Sequence, residues 1–182
     1  DNNNAGDSAF IGGGFSHDIS VAGTYSTIGG GRDNVITAAH CTIAGGLRNN
    51  VLTAQGTIAG GADNDINTGI YSFIGGGQLN VSECDHAVIR GRSTNTTGPG
   101  VRHIIVGGFS NDVNSVGGHY GIIVGGYNNT ISSTNSYNVI VGGEANTISG
   151  VQEQSFIGGG TLNTIDGRAG FVGGGQSNDI IN

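Results

Sequence analysis

Ser26-Thr27-Ile28-Gly29-Gly30-Gly31-Arg32-Asp33-Asn34-Val35-Ile36 is the stretch whose reading decides the fold. A β-branched residue precedes three consecutive glycines, an asparagine stands six residues after it, and a second β-branched residue stands eight after it. The same order returns at Ser155-Phe156-Ile157-Gly158-Gly159-Gly160-Thr161-Leu162-Asn163-Thr164-Ile165. Placing each such residue as an anchor gives Ile11, Ile28, Ile43, Ile58, Ile74, Ile89, Ile105, Ile123, Ile140, Ile157 and Val172, eleven units spaced by 15 to 18 residues. His17 holds the asparagine position in the first unit; Asn34, Asn49, Asn64, Asn80, Asn95, Asn111, Asn129, Asn146, Asn163 and Asn178 hold it in the others. Ser82 and Thr97 break the otherwise apolar series eight after the anchor.

A unit this short leaves no room for a helical hairpin, and its apolar residues lack a 3.6-residue period. β-branched residues flanked by Gly and Asn suit two short strands with turns. The chain is therefore expected to be all-β, a parallel β-solenoid (β-roll) of about eleven 15–18-residue coils forming one domain over residues 1–182. At about 4.8 Å per coil the rod is on the order of 50 Å long. The 38 glycines among 182 residues fit this reading, since Gly gives up the most conformational entropy and is tolerated where backbones turn or approach closely. Gly159→Val is accordingly expected to clash with a neighbouring coil or chain. Asn is expected in the turn, where it tolerates the left-handed conformation, and stacked asparagines are expected to form an amide ladder.

One residue before the anchors stand Phe10, Thr27, Thr42, Thr57, Phe73, Val88, Ile104, Ile122, Val139, Phe156 and Phe171. Side chains alternate along a strand, so this column faces away from the anchors and makes the strand apolar on both faces. An apolar stripe along a rod marks an interface, and self-association follows. Three before the anchors runs a column of long polar groups that includes Tyr25, His40, Gln55, Tyr71, His86, Arg102, Tyr120, Tyr137 and Gln154. It reads either as a ladder of stacked side chains or as a recognition stripe.

A net charge of −7 opposes binding to nucleic acid or anionic membrane. No apolar run approaches the roughly 18 residues of a membrane span, so no span is expected; no signal peptide is visible, and removal of a leader stays open. Cys41 and Cys84 are too few for a disulfide framework, and at three coils apart they are too far for a bridge. His40 and His86, also three coils apart, cannot share one metal ion, and Cys41 falls in a column of small residues where a thiol fills space. Asp63-Asn64-Asp65 reads as a turn, its spacing being unlike a calcium-binding roll. No catalytic constellation is found, and neither a cofactor nor a metal is expected. Glu83, Asp85, Glu144 and Glu153 are the weak carboxylate candidates. Asn80, Asn95 and Asn128 begin glycosylation sequons. An ice-binding face is disfavoured, because the Thr27, Thr42, Thr57 run continues as Phe73.

The sixth unit departs from the rule. Arg90-Gly91-Arg92 replaces the glycine triplet, and its loop carries Gly98-Pro99-Gly100 followed by Arg102 and His103. His86, Arg90, Arg92, Arg102 and His103 are therefore the candidate binding residues, suited to an anion or acidic sugar because guanidinium makes paired hydrogen bonds. Pairing of Arg90 and Arg92 with Glu83 and Asp85 is the alternative.

The Ser26 to Asn34 and Ser155 to Asn163 patterns resemble the head repeats of YadA-like trimeric autotransporter adhesins, in particular the Gly-rich Moraxella variety. Related repeats occur in phage and giant-virus fibres. The resemblance implies a left-handed roll, a homotrimer, an extracellular, cell-surface or virion-fibre location, and attachment to a surface glycan or matrix protein. Two departures stand beside it: the sequence has neither coiled-coil stalk nor membrane-anchoring barrel, and its units are longer than the adhesin coil. An excised segment, a differently anchored fibre and a single-chain solenoid stay open. A purely structural filament is the competing reading, since the chain stops at Ile180-Ile181-Asn182 directly after a coil.

Overall fold

The computed structural model describes residues 1–134, 137–151 and 154–181. They form a parallel β-solenoid of about eleven turns, about 16 residues each. The anchor strands, from Phe10–Ile11 to Phe171–Val172, make one eleven-stranded sheet. The strands that follow the asparagines, beginning with Asp18–Ile19 and ending with Asp179–Ile181, join Asn3–Asn4 in a second sheet of twelve. Each strand pairs with its counterparts in adjacent coils and with nothing else, so Ile28 faces Ile43 and Ile43 faces Ile58. Insertions consequently fall in the loops and leave the register untouched. A third side is drawn by single-residue bridges, Phe15 to Arg32 to Leu47 and onward to Gln176.

Every anchor from Ile28 to Ile157 is buried, as are the inward residues of the second sheet from Ile19 to Ile165. The apolar interior is nevertheless in two pieces, Ile19 to Ile89 and Ile105 to Val172. The division falls where Ser82 and Thr97 occupy core positions, their hydroxyls 3.4 Å apart, and where His103 and Cys84 are also inside. What breaks the apolar series in the sequence thus breaks the core in space.

The asparagines lie inside, from Asn34 to Asn163. Each side-chain oxygen accepts from the next asparagine twice: Asn34 Oδ1 receives the Asn49 backbone N–H at 3.0 Å and its amide at 3.2 Å. The amide of Asn49 also donates to Gly45 O and Gly61 O, both at 3.1 Å. His17 substitutes, its Nδ1 accepting from Asn34 N at 3.2 Å, and Asn2 Oδ1 accepts from His17 N in turn. The ladder expected from the sequence is present, but the expected left-handed asparagine is not. The residue before each asparagine is left-handed instead, as at Asp33 (φ 56°) and Leu79 (φ 55°). A second left-handed column runs three before the anchors, through Tyr25, His40, Tyr71 and Tyr120. Both serve hydrogen bonding. Strand N–H groups donate to the following coil, as Thr27 N does to Cys41 O at 2.9 Å, whereas Asp33 N reaches back to Phe15 O at 2.9 Å and Tyr25 N to Asp7 O at 3.0 Å.

The glycine triplet makes the corner between the sheets. Its third member, such as Gly160 at φ +91°, is left-handed, and a Cβ there would stand on the carbonyl oxygen of Gly175 in the next coil. The middle member, Gly159, has nothing within 4 Å of the place a Cβ would take. The clash expected of Gly159→Val therefore belongs to Gly160.

Candidate functional site

The outer face of the anchor sheet is the first candidate surface. It consists of the column before the anchors together with the column after them, where Val106, Val124 and Val141 are 43%, 42% and 41% exposed. The two columns compensate one another. Phe10, Phe73, Phe156 and Phe171 are each followed two residues later by Gly12, Gly75, Gly158 and Gly173, and each ring lies over that glycine, Phe73 Cε1 falling 3.3 Å from where a Gly75 Cβ would be. Ile104, Ile122 and Val139 are paired with valines instead. A large residue beside none and two medium residues fill similar volume, so the face is levelled across these seven coils; Thr27 with Gly29, Thr42 with Ala44, Thr57 with Ala59 and Val88 with Arg90 stand outside the pattern. The second sheet presents a more polar exterior, with Asp18, Asn50, Asp65, Thr96, Asp112, Thr130, Thr147 and Thr164 in its outward column beside Val35 and Val81. Burial pushes the carboxyls of Asp65 and Asp112 above the usual carboxylate range.

The second candidate is the left-handed corner three before the anchors. Tyr25 stacks on His40 with centroids 5.2 Å apart, Tyr71 on His86 at 5.1 Å, and Tyr120 on Tyr137 at 5.0 Å. Parallel coils superpose these groups at the inter-strand spacing, which is also a stacking distance. The rings use their faces on one another and offer edges, hydroxyls and ring nitrogens outward. The third side adds Phe109 on Tyr127 at 5.6 Å, a pair the sequence reading passed over because the residues four after the anchor share no chemistry.

The sixth coil separates its five candidate residues. His86 is committed to the stack with Tyr71. Arg102 lies over the Tyr120 ring at 5.3 Å and donates from Nη1 to its hydroxyl at 2.9 Å. His103 is inside and wholly buried, and burial pushes its imidazole down to about 4. Its place two before an anchor, in register with Ser26, Cys41 and Ala87, was the available signal. Arg90 and Arg92 alone remain together, exposed at the corner beside Phe73 and Gly75 to Gly77, where they line a groove of about 380 Å³. Among the described residues neither makes an ion pair; Asp85 Oδ1 accepts instead from Ile70 N at 2.8 Å.

The remaining motifs resolve into structural roles. Asp63 is held by Arg48 through bonds of 2.6 and 2.9 Å, which keeps its carboxyl below the usual range. Asn64 is a ladder rung, and Asp65 accepts from Asn50 at 2.7 Å. Both cysteines are free and buried. Cys41 Sγ donates to Thr53 O at 3.2 Å, and burial pushes the Cys84 thiol up to about 11. Among the described residues no group of three or more His, Cys, Asp or Glu is placed to hold a metal ion. Of the sequons, Asn80 and Asn95 are buried rungs and Asn128 is exposed. Glu144 sits in the bridge column between Tyr127 and Thr161; Glu153 lies outside the described residues. No protein-family model matches the chain, and no curated protein matches it.

Proposed function

We propose that this chain is part of an extracellular fibre of the adhesin-head kind, built by lateral association of copies, trimeric by its resemblance, and used for attachment to a glycan or matrix protein. The observation that carries the association is the levelled outer face of the anchor sheet, running from Phe73 to Phe171 and interrupted at Val88 with Arg90. Burial of apolar surface drives association in proportion to area, and a flat face lets two sheets meet without gaps. Exposed apolar surface of such extent, on a rod whose other sheet is faced mostly with Asp, Asn and Thr, favours an interface over solvent. The attachment half of the reading is supported by a repetitive rod that holds aromatic and basic groups outward on rigid corners.

Sedimentation of the purified chain at micromolar concentration tests association. An oligomer is expected, and Val124→Glu, in the middle of the face, should return it to monomer with an unchanged circular dichroism spectrum. A monomeric unsubstituted chain would sink the reading, as would a Val124→Glu variant that associates undiminished.

A further inference from the structure

The geometry points to an oxyanion site at the corner of the fifth and sixth coils, where Arg90 and Arg92 receive the sulfate or carboxylate group of an anionic saccharide whose ring packs beside Phe73. The groove there is complete within one chain: Phe73 and Gly75 to Gly77 form one side, Arg90, Gly91 and Arg92 the other. Its volume of about 380 Å³ suits one or two sugar rings.

Two features separate this corner from the rest. The chain has six basic side chains, all Arg. Arg32 and Arg48 are held by Asp33 and Asp63, and Arg102 by Tyr120; Arg168 is exposed and stands alone, whereas Arg90 and Arg92 are exposed side by side, all three without an ion pair among the described residues. Finally, the corner is rebuilt around the arginines. Arg92 does not take the left-handed conformation of the glycines at its position, its N–H donates to Gly108 O at 2.9 Å, and the Asn95 amide turns to Ser93 O at 3.0 Å, whereas the other interior rungs donate to the carbonyl four residues back. Glycine holds the position of Arg92 in the other coils, and glycine, alanine or valine that of Arg90, so two unpaired cations in a remodelled corner give the fold nothing. Local departures of that kind belong to binding. Arg forks pair with sulfate or carboxylate through two parallel bonds, and an aromatic edge beside them accepts the C–H surface of a sugar.

Arg90 also stands in the column after the anchors, on the levelled face. A bound anion neutralises a charge that lateral packing would otherwise bury, so ligand and association should strengthen one another. This coupling rests on the association reading; the groove does not.

Titration calorimetry at low ionic strength should compare a heparin-derived oligosaccharide, a hyaluronan oligosaccharide, a neutral chitin oligosaccharide and inorganic sulfate. The chain is expected to bind an anionic saccharide and not the neutral one. Arg90→Gly/Arg92→Gly, which restores the repeat consensus and should melt like the unsubstituted chain, is expected to weaken binding by about tenfold or more. Arg90→Gln/Arg92→Gln provides the same test should the glycines unsettle the corner. Undiminished binding by these variants, an equal loss in Arg168→Gly, or no anion binding at millimolar concentration overturns the site. Sulfate alone binding as tightly as the saccharides retains the oxyanion site and overturns the saccharide as its occupant. A chain that sediments as monomer yet binds through Arg90 and Arg92 sinks the association reading and leaves this one standing.

Discussion

Asn49 Oδ1 accepts two hydrogen bonds from Asn64, one from its backbone N–H at 3.1 Å and one from its amide at 3.0 Å. The Asn64 amide also donates to Gly60 O at 3.2 Å and Gly77 O at 3.0 Å, so one buried side chain ties three coils together. Asn64→Asp keeps the shape and removes the donors, leaving a carboxylate against acceptors. The expected cost near neutral pH is on the order of 3 kcal/mol, the scale of an uncompensated buried charge. Burial raises the folded-state pKa of such an Asp, so the penalty is present above that value and is relieved as acidification protonates the group. Denaturant midpoints of variant and unsubstituted chain should converge at low pH; a constant gap would contradict the ladder's role.

Neighbouring glycines should answer substitution differently. At Gly159 (φ +150°) a methyl meets open space and incurs backbone strain alone, about 1 kcal/mol. At Gly160 (φ +91°) strain is joined by collision with the Gly175 carbonyl, and Gly160→Ala should cost roughly 3 kcal/mol. Urea midpoints for the two alanine variants check this, and equal losses would show that coil-to-coil contact at the corner is not limiting.

The strands and the ladder were legible because each needs one kind of side chain: a β-branched anchor to fill the interior, an amide to supply donor and acceptor at once. The left-handed columns were not. Tyr25, His40, Gln55 and Arg102 share a backbone conformation and no chemistry, since the hydrogen bond that demands it is made by the N–H and leaves the side chain free. His103 was misplaced for a different reason. Grouping it with Arg102 by charge hid its register with Ser26 and Cys41, and register decides which way a strand residue points. The pairing of Phe with Gly and of Ile with Val across the anchors was in the sequence too, but only the rings lying over the glycines give it meaning.

His103 should make stability fall on mild acidification. Desolvation is the main reason its imidazole is pushed down to about 4, and the His119 charge adds to it. In the unfolded chain it protonates near 6.5. Between those values the unfolded state holds the extra proton, so the folded state loses ground as pH drops through 6.5 and the loss levels off below about 4. His103→Ser, a residue the same column carries at Ser26, Ser72 and Ser155, should remove this slope. Asp65 and Asp112, raised by burial, act in the opposite sense in both proteins and cancel in the comparison. Melting temperatures from pH 7 to 4 with parallel slopes would show that His103 takes up its proton in the fold.

The levelled face can be tested inside one coil by a double-mutant cycle at Phe73 and Gly75. The Phe73 ring occupies the space a Gly75 side chain would need, its Cε1 lying 3.3 Å from the Cβ position, with the flexible Arg90 stem at the same distance on the other side. Gly75→Val alone should displace the ring and cost about 1–2 kcal/mol by overpacking. Phe73→Val alone should leave a dip and cost about 1 kcal/mol from lost contact. Together they recreate the Val-and-Val arrangement of Val139 with Val141, so the double variant should be more stable than the sum of the two losses by about 0.5–1.5 kcal/mol. Association should follow the same pattern, weakened by either single change and largely recovered in the double, because what a facing sheet meets is the height of the surface. Strict additivity in both stability and association would mean that the two columns are independent and that the flatness of the face plays no part in packing.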